Sequence, residues 1–192
     1  IIRTVMLLPW ILPDVAVAFE WKWMLQSEMG IVNYILMGVG LLSQTYPWLG
    51  SEATSLSACA LTLTWRMTPF IALMVMSGVI AIPPEVIEAA EIDGTSSWQK
   101  FRYIMLAYLR GPLVVVTLLV TIWTVNHITN PLTMTGGGPV HSSEVLALLI
   151  YRTGWSYFRV SKAAAIATLN FAFLLVLTGA YIYALRRYLR GF

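Results

Sequence analysis

The sequence predicts an all-α integral membrane protein, a multi-helix bundle with short polar elements between its spans. Three observations carry that reading. The composition is 58% hydrophobic and only 11% charged, where a soluble domain runs at about 45–50% apolar and about 25% charged. The apolar residues gather into runs of about 20 or more, the length a helix needs to cross a hydrocarbon core of about 30 Å. The polar residues collect between those runs, above all in 83–112, which holds Glu85, Glu88, Glu91 and Asp93.

The first span is expected over about 5–25. Pro9, Pro13, Asp14 and Glu20 interrupt it, so it is read as kinked or only partly lipid-facing. Trp21 and Trp23 suit an interfacial belt at its outer end. Residues 30–37 are too few to span and read as a surface helix, followed by a turn at 47–50. The second span, about 54–82, carries Arg66 and Pro69 inside it.

The interval 83–107 spells two short helices with a break, lying against the membrane rather than crossing it. Pro84 suits a first helical turn, where its missing N–H needs no partner. Gly94 suits the position just past a helix end, where a positive φ is cheap without a Cβ. Ser96 with Gln99 three residues later fits a capping box that opens the second helix. The third span is expected over about 109–130, then a Gly-rich break at 131–139. Residues 143–162, with Arg152, Arg159 and Lys162, read as a short external helix. The fourth span, about 163–185, is closed by Arg186, Arg187 and Arg190.

Lysine and arginine favour the cytoplasmic side of a membrane protein. Arg3, Lys100, Arg102, Arg110, Arg186, Arg187 and Arg190 fall on one side; Lys22, Arg152, Arg159 and Lys162 fall on the other. The bias places 83–107 and both ends of the chain in the cytoplasm. A single cysteine, Cys59, excludes an intramolecular disulfide and supplies no metal cluster. The net charge of +3 is small and forms no basic stripe, so nucleic acid is not an expected partner. Gly136-Gly137-Gly138 lacks the following Gly-Lys-Ser/Thr of a phosphate loop, and no nucleophile–base arrangement suggests an enzyme.

Glu88-Ala89-Ala90, then Gly94, Ile104 and Leu106, resemble the EAA loop of ABC importer permeases at that family's spacing. Ala107 stands where the family pattern has proline, which puts only a helix break there in question. Thr135-Gly136-Gly137-Gly138-Pro139 resembles a segment of the carbohydrate-type importers, those for maltose, trehalose and glycerol phosphate. The likeness covers nearly the whole chain. It implies a permease subunit in a prokaryotic inner or plasma membrane. The implied partners are a second permease, two ATPase subunits that hold ATP and Mg, and an extracytoplasmic substrate-binding protein. No cofactor is implied on this chain. The sequence begins with Ile1 in an apolar run, and the resemblance implies a fragment preceded by roughly two further helices.

Each candidate site residue has two readings. Glu88, Ala89, Ala90 and Gly94 form either a coupling element docked in the ATPase or a plain amphipathic connector, and the motif spacing favours coupling. Arg66 is either a donor in the substrate pathway or half of a structural ion pair, with Asp14 as a candidate partner; a cation at mid-membrane costs about 2.5–3.5 kcal/mol on insertion scales. Thr124 and His127, three apart, are expected on one helix face. Register with the maltose-type permeases places sugar contacts there, and at Leu63, Arg66, Met67 and Phe70 on the preceding helix. The plain alternative for all of these is helix–helix packing. The expected function is import of a sugar, oligosaccharide or polyol. The alternatives are an ABC permease for another solute class and a secondary transporter. The latter would want carboxylates within its spans, where only Asp14 and Glu20 qualify.

Overall fold

A computed structural model describes the backbone of residues 7–189 and the side chains of residues 7–185. Arg3, Arg186, Arg187 and Arg190, used above for orientation, and the beginning of the first expected span lie outside the described side chains. Among the described residues every regular element is helical.

The first span takes a different form from the one expected. Helix α1 (Leu8–Ile11) and helix α2 (Asp14–Met24) are separate pieces. Leu12 between them is extended, at φ −62° and ψ 144°. The cause is local: Pro13 crowds the residue before it out of the helical region, and Pro9 sits in the first turn of α1. At 11 residues, α2 is about 16 Å long, well short of a hydrocarbon core of about 30 Å. Helix α3 (Ile31–Gly38) is the short surface helix. Its Asn33 is 1% exposed and ties down the loop on both sides. The amide donates to the Ser27 and Tyr46 carbonyls, both at 2.9 Å, and its oxygen accepts from the Trp48 indole at 2.8 Å.

Among the described residues three helical stretches are long and apolar enough to cross a membrane, Ser55–Ile80, Ser97–Val125 and Val160–Leu185. The first is helix α4 (Ser55–Ile80), continuous through Pro69. Helix α5 (Pro84–Ile92) follows, then helix α6 (Ser97–Gln99), a π-helical turn at Lys100–Met105 and helix α7 (Leu106–Val125). The last three run on without interruption. The helix that contains the third expected span therefore runs from Ser97 to Val125. Ala107 lies within this continuous helix. Its end comes at Asn126, whose side chain folds back to the Ile122 carbonyl at 2.9 Å. A π turn at Pro131–Thr135, helix α8 (Leu146–Tyr151), another π turn at Arg152–Ser156 and the long helix α9 (Val160–Leu189) complete the chain.

Helices α4 and α7 form the central pair. At Gly78 a Cβ would meet Leu109 Cδ2 at 2.7 Å and Pro112 Cγ at 2.9 Å, so the absence of a side chain sets how closely the two approach. Small residues play this part between membrane helices, where lipid offers no hydrophobic drive to association. A second cluster joins α2, α4 and the Pro131–Thr135 turn through Ala18, Leu25, Ala58, Cys59 and Met134, with Trp21 and Trp48 packed against it.

Candidate functional site

The polar loop between α4 and α7 is built as its residues dictate. Pro84 occupies the first turn of α5. Helix α5 ends in a Schellman arrangement: Thr95 N–H donates to the Ala90 carbonyl at 3.1 Å and Gly94 N–H to Glu91 at 3.0 Å. Gly94 takes the left-handed conformation at φ +71°, and a Cβ there would meet no atom within 4 Å. Its requirement is therefore conformational and not steric. Ser96 and Gln99 complete the reciprocal capping box, with Ser96 N–H to Gln99 Oε1 at 2.7 Å and Gln99 N–H to Ser96 Oγ at 3.3 Å. Lys100 reaches back to Glu91 Oε1 at 2.8 Å and clamps the two helices. That hydrogen bond, with the lysine's charge, holds the Glu91 carboxyl below its ordinary value.

Ala90 faces inward and is buried, whereas Glu88 and Ala89 are exposed. Ile92 and Trp98, on either side of the Gly94 turn, are 87% and 69% exposed. The loop thus presents a carboxylate, a small residue and two large apolar side chains on one rigid hairpin.

Inside the bundle the candidate pathway residues divide into two groups. Leu63, Thr124 and His127 line one cavity of about 90 Å³, together with Cys59, Asn130 and Pro131. Thr124 and His127 meet there but do not share a helix face. α7 ends before His127, whose N–H bonds the Thr124 carbonyl at 3.1 Å in the turn that follows. His127 Nε2 in turn accepts from Asn130 N–H at 3.4 Å. Asn130 is 1% exposed and donates to the Cys59 carbonyl at 3.2 Å. The sequence reading missed it; the Asn-Pro pair at 130–131, a polar residue at a chain reversal inside an apolar region, is the sign that pointed there.

Arg66, Met67 and Phe70 lie elsewhere. Arg66 Nε is 2.8 Å from Asp14 Oδ1, although the N–H is not aligned for a hydrogen bond, so the contact is chiefly electrostatic. Met67 is buried in the packing of α4. Phe70 stands between Trp10 and Trp123, with ring centroids 5.6 and 5.1 Å away. Among the described residues no group of His, Cys, Asp and Glu is placed to hold a metal.

The glycine-rich segment is a braced turn. Gly136 and Gly137 both have positive φ, and a Cβ on Gly137 would press on Leu148 and Arg152. Arg152 donates to the Gly136 carbonyl and, at 2.6 Å, to Glu144 Oε1. Glu144 Oε2 is 2.6 Å from His141 Nδ1. Burial pushes the Glu144 carboxyl up, but the bonds from Arg152 and His141 outweigh it and leave it below its ordinary value.

Known proteins share this architecture. The crystal structure of a bacterial alginate ABC transporter in complex with an alginate pentasaccharide-bound periplasmic protein contains a chain that superposes with a TM-score of 0.79. It is 22% identical in sequence, over 97% of this chain and 64% of that one, which establishes the fold. The diacetylchitobiose uptake system permease protein DasB of Streptomyces coelicolor is 32% identical over 92% of this chain and 54% of its own length. The trehalose/maltose transport system permease protein MalF of Thermococcus litoralis is 31% identical over 95% of this chain and 61% of its own length. The chain thus spans less than two thirds of the length of these curated relatives. With residues 1–190 matched by the model of the binding-protein-dependent transport system inner membrane component, the chain belongs to that family.

Proposed function

We propose that this chain is part of a permease subunit of an ATP-driven importer for a sugar, oligosaccharide or related polyol. The observation that carries the reading is the loop of α5 and α6. It is a short rigid hairpin that exposes Glu88, Ala89, Ile92 and Trp98 around a left-handed Gly94. Such a knob suits a groove on a cytoplasmic ATPase subunit: the apolar side chains fill the groove, and Glu88 meets a basic group through a charge-assisted hydrogen bond. Because α6 continues directly into α7, a push on the hairpin is delivered to a membrane-crossing helix. Hydrolysis of ATP with Mg belongs to two ATPase partners, and a second permease completes the pathway. An extracytoplasmic binding protein delivers the substrate, and the cavity opens to alternate sides. The cavity at Thr124, His127 and Asn130 offers hydroxyl, imidazole and amide groups against apolar walls, a chemistry suited to polyol hydroxyls. The carbohydrate class is supported by the Gly-rich segment and by the sugars in the names of the relatives.

Co-purification of the ATPase subunit tests the reading. Glu88→Lys is expected to lose the ATPase and transport while the permease stays in the membrane. Parental stoichiometry with intact transport sinks the coupling role.

A further inference from the structure

Helices α4 and α7 share a flank that carries hydroxyls where a lipid-facing helix carries hydrocarbon. We propose that this flank is the wall along which a neutral sugar or polyol passes from the cavity at Thr124 toward the hairpin side. Its hydroxyls donate to the oxygens of Thr68, Thr117 and Thr121, and an anionic sugar is excluded. The inference rests on the importer reading and deepens it by naming the charge class of the substrate.

Thr117, Thr121 and Thr124 fall at i, i+4 and i+7 of α7, and Ser57, Thr64 and Thr68 at i, i+7 and i+11 of α4. Each set therefore shares one helix face. All but the half-buried Thr121 are exposed. The close approach of Gly78 to Pro112 and the ring contact of Phe70 with Trp123 mark the seam between the helices. The order of these contacts makes the pair antiparallel. At about 100° per residue, each hydroxyl row lies roughly 100–140° past the seam in the same rotational sense. In an antiparallel pair that brings both rows to the same flank. Thr124 also lines the cavity with Leu63 and His127, so the flank continues from that cavity. The outward face of α9 shows the contrast. There Leu169, Phe173 and Val176, again at i, i+4 and i+7, are 70%, 55% and 73% exposed and all apolar.

The hydroxyls have a fixed polarity. Thr64, Thr68, Thr117 and Thr121 each donate to the carbonyl four residues back, at 2.8, 2.7, 2.7 and 2.7 Å. Their donors are spent and their lone pairs remain as acceptors. An acceptor row calls for a donor. Acyl chains offer none, whereas a polyol carries hydroxyl donors along its whole length. A carboxylate or sulfonate meets only acceptors on these threonines. Arg66, the cation within α4, lies about 180° round the helix from the row and is paired with Asp14. Arg110, on the threonine face about 10 Å nearer the hairpin than Thr117, is already engaged.

The test places Thr68→Cys and Thr117→Cys in proteoliposomes with the subunits that co-purify, with and without ATP. Each is treated with two water-soluble methanethiosulfonates, one carrying trimethylammonium and one carrying sulfonate. The rates are divided by those on free cysteine. Leu169→Cys and Val176→Cys are the lipid-facing controls, and the parent with its buried Cys59 sets the background. Both threonine positions should react and both controls should not. The cationic reagent should be favoured over the anionic one about fivefold, less than in a cleft lined by full charges because dipoles act here. Both threonines are exposed and cysteine is close to them in size, so the variants keep the fold. If either position is as unreactive as the controls, lipid or another subunit covers the flank and the proposal is overturned. Equal or faster reaction with the anionic reagent overturns it as well, by removing the charge selection. The readout needs no transported sugar and no hairpin variant. Its failure is therefore distinct from failure of the importer reading, which ATPase co-purification tests.

Discussion

A guanidinium inside a membrane helix needs a counter-charge, and Asp14 supplies it from the first turn of α2. The two side chains are 15% and 32% exposed, between a surface pair worth about 0–1 kcal/mol and a buried one whose breakage costs about 3–5. Asp14→Asn should therefore lower the stability of the detergent-solubilised protein by about 2 kcal/mol. The double change Asp14→Leu with Arg66→Met should recover most of that. If thermal unfolding of the double variant is no better than that of the single one, the pair is not what holds Arg66 in place. Glu144 gives a pH prediction. Its carboxyl lies below the ordinary value in the folded protein, so its network contributes stability above the unfolded carboxylate value and loses it as pH falls through the folded one. Amide-exchange protection over 136–156 should hold from neutral pH into the ordinary carboxylate range and drop below it. Glu144→Gln should be less protected at neutral pH and lack that drop. Asp14 was a legible partner for Arg66, since few acids lie within the apolar runs. The Glu144–Arg152 pair was not, because nothing in the spacing says that a glycine turn will carry an arginine against it.

At the level of elements, the hairpin of α5 and α6 follows from residue types alone, because each end is stopped or started by a local hydrogen bond. Gly94→Val places a β-branched residue at φ +71°, a conformation that costs about 1–3 kcal/mol for a residue with a Cβ. Asparagine tolerates it far better. ATPase co-purification should therefore fail for Gly94→Val and persist for Gly94→Asn; equal retention in both would mean that the left-handed turn is not required. Gly78 belongs to the same scale but rests on tertiary contact. Gly78→Val forces side-chain atoms into Leu109 and Pro112, and overpacking of this sort costs about 1–3 kcal/mol. A lowered melting temperature checks it, with the exposed helical Gly179→Ala as the neutral control. The end near 130 was misjudged because one helix was carried through the turn at Asn126–Ile128 into the separate helical stretch that leads to the Pro131–Thr135 turn.

Across the whole molecule, the three crossing stretches fix an alternation. α4 leads to the α5 hairpin on one side of the membrane, and α7 leads from there to the segment 136–159 on the other. α9 returns to the side of the hairpin. From the lysine and arginine bias of the sequence we expect the hairpin side in the cytoplasm. A membrane-impermeant maleimide added to intact cells or spheroplasts should spare Ile92→Cys and label Phe158→Cys. Both positions are highly exposed, and the native Cys59 is buried. Labelling of Ile92→Cys from outside inverts the orientation.

The sequence by itself determined the membrane class, the hairpin with its caps and glycine turn, and the family, because these depend on composition and on contacts within a few residues. Tertiary structure alone decided the rest. It brought Leu63, Thr124, His127 and Asn130 to one cavity while setting Met67 and Phe70 apart from it, whereas the break at Leu12 is local and set by Pro13. In a membrane most long segments are apolar all round, so periodicity does not say which face meets which neighbour. That choice is made by close approaches such as Gly78 on Pro112, and by pairings such as Asp14 with Arg66, which join residues far apart in the chain.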